Sequence, residues 1–154
     1  MNRIYNAIFG IAALVLFAGC VAPQKHQTPS GRPEVTINTQ DKGKIKSVTI
    51  NQFINAGFTM TSDTEYAITF TKQMSGMSGV LYQSLAGNSY SSTPQWVVIL
   101  NLATVGEQTR VVGQVTSQMQ NAFGRNDAQD MTSGKPGAQV MEMLAKIRTE
   151  VETH

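Results

Sequence analysis

Apolar residues change their spacing several times along this chain, and each change marks an element. Residues 34–38, EVTIN, alternate, with Val35 and Ile37 on one side, which predicts a strand. In GKIKSVTINQFINAG, residues Ile45, Val48, Thr49, Gln52, Phe53 and Ala56 recur at helical spacing. Asp41 is placed to cap that helix and Gly57 to end it. Its β-branched Val48, Thr49 and Ile50 are weak helix formers, so packing has to hold it. FTMTSDTEYAITFTK reads as a hairpin: Phe58 and Met60 alternate with threonines, SDT turns, and Tyr66, Ile68 and Phe70 alternate again. A second hairpin joins PQWVVILNLATV to TRVVGQVTSQM about GEQ. Trp96, Val98, Leu100 and Leu102 share one face of its first strand, and Val111, Val115 and Met119 share one face of the second. The run Val97-Val98-Ile99 predicts a central strand with some cover on both sides.

The end of the chain is the clearest helix. GKPGAQVMEMLAKIRTEVE places Val140, Met141, Leu144, Ile147 and Val151 on one stripe, with Pro136 in the first turn. Glu142 and Lys146 stand four apart on its outer side. The order strand, helix, two strands, insertion, two strands, helix predicts an α+β fold. Its antiparallel sheet has about five strands, with two helices packed on one face.

Two stretches interrupt the pattern. QMSGMSGVLYQSLAGNSYSSTPQ lies between the hairpins and repeats MSG at once. On a helix, Met74, Met77, Leu81 and Leu85 would line one side, although Gly76 and Gly79 oppose helix formation. The stripe reads either as ordinary core or as a contact surface, with Tyr82, Tyr90 and Trp96 supplying amphipathic contacts nearby. FGRNDAQDMTSGKPG reads as a solvated loop, since Asn126, Asp127 and Asp130 do not have calcium-loop spacing.

Composition narrows the function. The 154 residues suit one domain, and the net charge of +2 gives no reason to expect a nucleic-acid partner. Lys42, Lys44 and Lys46 form the densest basic stretch, read as a solvated helix end. The only histidines are His26 and His154, and the only cysteine is Cys20. The domain therefore lacks a Cys–His pair, a Ser–His–Asp set and a common zinc set, and neither phosphate-loop glycine pattern occurs. The expectation is a non-catalytic domain with no cofactor and no metal.

The chain begins with Arg3 and an almost wholly apolar run from Ile4 to Phe17, followed by small residues before Cys20. That is the layout of a secretory signal peptide, and the run is shorter than the about 20 residues of a membrane span. LFAGC resembles the lipobox of bacterial lipoproteins. The resemblance implies cleavage before Cys20, a diacylglycerol on its sulfur and acylation of the new amino terminus. With Val21 rather than Asp after the cysteine, it also implies the outer membrane, with the domain in the periplasm. Several acyl chains together anchor stably where one does not.

The expected layout is a signal peptide over 1–19, a lipidated cysteine and flexible tether over 20–33, and one globular domain over 34–154. The tether is polar, holds three prolines and His26, and spans roughly 40 Å when extended. Two function classes follow. One is an envelope lipoprotein that docks onto a partner protein, through a strand edge or exposed aromatics. The other is a module that binds a small apolar ligand or lipid under the insertion at 74–85. A buried apolar cavity favours the second.

Overall fold

The computed structural model describes residues 26–75, 93–120 and 125–153. Of the candidate residues, Cys20, Met77, Leu81, Tyr82, Leu85 and Tyr90 lie outside the described residues. The elements run β1 (Glu34–Ile37), α1 (Lys42–Asn55), β2 (Thr59–Asp63), β3 (Ala67–Gln73), β4 (Gln95–Val105), β5 (Gln108–Gln120), β6 (Asn126–Asp130) and α2 (Lys135–Thr153). The fold is α+β. One antiparallel sheet has the order β1-β5-β4-β3-β2, and β6 joins it on β5.

Alternation decides which face of the sheet is buried. Ile68, Phe70, Val98, Leu100, Leu102, Val111 and Val115 share a core with Ile45 and Phe53 of α1 and Val140, Leu144, Ile147 and Val151 of α2. Their register places Leu100 beside Ile68, and Val98 beside both Phe70 and Val115. Both helices thus cover one face. Gly113 sits opposite Leu100, and a Cβ there would stand 3.1 Å from Val140, so the missing side chain lets α2 approach β5.

The ends of α1 follow from local chemistry. Asp41 caps the helix by accepting from the Lys44 amide at 2.9 Å. At the other end the Phe58 amide donates to Phe53 O and the Gly57 amide to Ile54 O. This paired arrangement needs a left-handed residue, and Gly57 has φ +81°. Phe58 is thereby turned onto Phe53, 5.3 Å away edge to face, while Phe53 stacks on Phe70 at 4.4 Å.

Three expectations need correction. The stretch read as a solvated loop contains β6, whose residues 126–130 pair with β5 residues 116–120. All five are exposed, so no apolar alternation signals the strand. Tyr66 does not share the inward face with Ile68 and Phe70; it sits in the turn before β3 and is 59 % exposed. The hairpin register also shifts between Met60 and Ser62, a bulge, and Met60 is 39 % exposed.

The third correction concerns the tether. Residues 26–33 are bound to the domain. His26 Nε2 lies 2.9 Å from Thr132 O, the Gly113 amide donates to Pro33 O, and Pro33 is buried. The amide of Glu34 donates to Met141 Sδ at 3.4 Å. The ordered unit therefore reaches back to His26, which is half-buried rather than solvated.

Glu34 opens β1 with its carboxylate buried against the Arg110 guanidinium, at 2.5 Å and 2.8 Å. The hydrogen bond from Arg110 holds the Glu34 carboxyl below its ordinary 4.5, against the opposing effect of burial. Asp130 is likewise lowered from 3.8 by hydrogen bonding with Thr132, whose amide donates to its Oδ1 at 2.8 Å. Both groups bind protons more weakly folded than unfolded. The stability they contribute is complete above about pH 4.5 and is lost as pH falls through the lowered folded values. Thermal melts should therefore lose midpoint below that pH. Arg110→Ala should lower the melting midpoint at neutral pH, because it leaves the buried Glu34 carboxylate without its ion-pair partner. Glu34→Gln should flatten part of the acid slope.

The core gives a second prediction. Leu144 and Ile147 are fully buried, so Leu144→Ala or Ile147→Ala should each cost about 2–5 kcal/mol in denaturant unfolding. Gly137→Ala should also destabilise, because its Cβ would stand 1.7 Å from Thr132 O. That contact is backbone on both sides, so the loop before α2 would have to move.

Candidate functional site

Length mismatch creates the site. A 14-residue helix such as α1 is about 21 Å long, whereas the 13 residues of β5 extend about 43 Å. α1 stops at Asn55, and the sheet continues past it. Beyond Ala56 the inward positions of β3, β4 and β5 floor a cleft of about 250 Å³, walled on one side by the first half of α2.

The floor is apolar. Phe58, Trp96, Val98 and Val115 come from the sheet side, and Val140 and Met143 from α2. The rim is polar and carries Lys72, Gln139, Glu142 and Lys146. Gln139, Glu142, Met143 and Lys146 recur at helical spacing beside the buried stripe of α2, so one edge of that helix faces the cleft. Two of the three charged rim residues are lysines.

Lys72 is held in place. It follows Ile68 and Phe70 on the inward face of β3, beside Trp96 in register. Its ammonium donates to Ala56 O at 2.7 Å, at the carbonyl end of α1, and lies 5.3 Å from the centre of the Phe58 ring. The negative end of the helix dipole favours a cation there. A charged residue at an inward position was the visible sequence signal for this site, and its partner was hidden until α1 folded back.

Trp96 is the second anchor. Its ring lines the cleft and an adjoining hollow that also touches Met74, Ser75 and Gln139. Its Nε1 is buried with no hydrogen-bond partner; the only other such atom among the described side chains is Thr49 Oγ1. A buried indole N–H without an acceptor costs free energy, on the order of 1–3 kcal/mol. Of the sequence candidates, the structure brings together Met74 and Trp96, both half-buried. Met77, Leu81, Tyr82, Leu85 and Tyr90 lie outside the described residues. Phe58, Lys72, Met143 and Lys146 are additions that required the tertiary fold.

No group of three or more His, Cys, Asp or Glu residues among the described ones could hold a metal ion. Asp127 lies 3.8 Å from Arg125, and Asp130 accepts from the Thr132 amide. No helix among the described residues is long and apolar enough to cross a membrane. Comparison with protein-family models gives no match, and comparison with curated protein sequences gives none either.

The orphaned N–H yields a prediction about stability. Trp96→Phe removes a buried donor together with some apolar area, and these oppose each other. Its measured cost should stay within about 1 kcal/mol, well below the roughly 3–5 kcal/mol of an aromatic truncated to alanine. Equilibrium urea unfolding of both variants, followed by circular dichroism, checks this.

Proposed function

We propose that this chain is a lipid-anchored protein of the bacterial cell envelope whose domain is a non-catalytic binding module. The cleft between α2 and β3–β5 takes a small ligand with an apolar body. The observation that supports this most is the cleft's composition: an aromatic and aliphatic floor, two lysines on the rim and an indole N–H without an acceptor. Such sites pair an apolar body with a few fixed polar groups. The anchor rests on Cys20 within LFAGC, and the outer-membrane placement on Val21.

Trp96 is the sole tryptophan, so its fluorescence reports the cleft directly. Anilinonaphthalene sulfonate, an aromatic body with one anionic group, should bind saturably with energy transfer from Trp96. Lys146→Glu should weaken that binding several-fold without changing the melting temperature. Binding that never saturates, or that is indifferent to Lys146, would count against the cleft. For the anchor, Cys20→Ser should leave uncleaved precursor and abolish incorporation of labelled fatty acid.

A second reading, docking of an envelope protein partner, has its own support. Tyr66 and Val105 are large and exposed, Tyr66 in the turn before β3 and Val105 at the end of β4 away from Trp96, while Met60 is exposed on β2. β2 is an edge strand exposed along its whole length. The bulge in β2 disfavours edge-to-edge pairing of two copies. On this reading Tyr66→Ser combined with Val105→Ser abolishes partner crosslinking in the native envelope and leaves the cleft's ligand binding intact.

A further inference from the structure

We propose that the occupant of the cleft is a single acyl chain drawn from the membrane to which the protein is anchored; this rests on the lipid-anchored reading above. His26 is the first of the described residues. Its ring is seated on Thr132 O, and a Cβ on Gly137 would stand 3.0 Å from its Nε2. His26 therefore lies against the first turn of α2. Pro136 and Gln139, one residue before and two after Gly137, line the cleft. The point where the chain leaves the domain toward its anchor and the cleft share one end of the molecule.

Chain length then sets the distance to the bilayer. From Cys20 to His26 is six residues, at most about 20 Å however they are arranged. A free tether through residue 33 would allow roughly twice that span. The docking of residues 26–33 therefore shortens the leash and holds the cleft end near the lipid surface. The opposite end, with Tyr66 and Val105, is left facing away.

The cleft's size and chemistry match one chain rather than a whole lipid. At about 30 Å³ for a water-sized group, 250 Å³ holds roughly eight such groups. That is part of one acyl chain. Phe58, Trp96 and Met143 offer it an apolar wall, and Lys72 and Lys146 stand where an anionic headgroup would follow. The short leash supplies the encounter, because a site held within about 20 Å of a bilayer meets acyl chains at high effective concentration.

The test uses the full lipidated protein in vesicles of phosphatidylethanolamine and phosphatidylglycerol containing a phospholipid with a diazirine on one acyl chain. After illumination, peptides carrying Phe58, Trp96 and Met143 should bear lipid adducts, and the peptide carrying Val105 should not. Ala56→Phe and, separately, Met143→Phe narrow the cleft and should each reduce labelling at Trp96 several-fold while labelling of residues 20–33 is unchanged. Adducts confined to residues 20–33, in protein whose mass shows lipid on Cys20, would overturn the acyl-chain assignment and leave the anchor standing. Cleft labelling by a soluble diazirine fatty acid but not by vesicle lipid would overturn the membrane as its source. Protein with no lipid on Cys20 would overturn both, since nothing would then hold the cleft at a bilayer.

Discussion

Two short strands share one edge of β5, and the gap between them has to be closed. β1 pairs with residues 109–112 and β6 with residues 116–120. Between them lies a stretch of central strand whose backbone groups are buried and need partners. Pro33 O accepts from the Gly113 amide. The Thr132 hydroxyl accepts from the Val115 amide at 3.1 Å and donates to Val115 O at 3.2 Å, standing in for a strand. Thr132 is thereby fixed, and its own carbonyl is left for His26. Gly137 completes the join, because no side chain larger than hydrogen fits against Thr132. The start of the ordered chain, the sixth strand and the terminal helix all meet at this one seam.

How much of this was legible in the sequence depended on whether the signal was apolar. β3, β4, β5 and both helices carry periodic inward residues, such as Ile68 and Phe70 or Leu144 and Ile147, and burial enforces that period. β6 carries none; Asn126-Asp127-Ala128-Gln129-Asp130 is held by backbone pairing, which any sequence can offer. The same blindness applies to residues 26–33. Proline, glycine and polar residues look alike in a free linker and in a docked segment, because their bonds are to distant backbone atoms. The bulge in β2 was likewise invisible, since a register shift needs a partner strand to be defined.

The cleft was half legible. Trp96 and Met74 stood out by residue type, and Lys72 interrupts an inward row. Nothing in the sequence indicated that α1 is too short to cover the sheet beneath it, because strand length and helix length are compared only once the two are packed. Phe58 enters the wall through the cap of α1, where Gly57 turns the chain, and not through any strand alternation. The charged rim of α2 arises similarly, as the neighbouring stripe of a helix whose apolar face was already assigned.

The seam has a consequence for synthesis. The contacts that close the fold join residues far apart in the chain: His26 meets Thr132 across 106 positions and Glu34 meets Met141 across 107. A chain that emerges N-terminus first offers its leading segment no native partner until nearly everything else has been made. Long-range closure of this kind is slow to nucleate. The nascent polypeptide is therefore without its finished edge until the residues up to Thr132 and Met141 have been made.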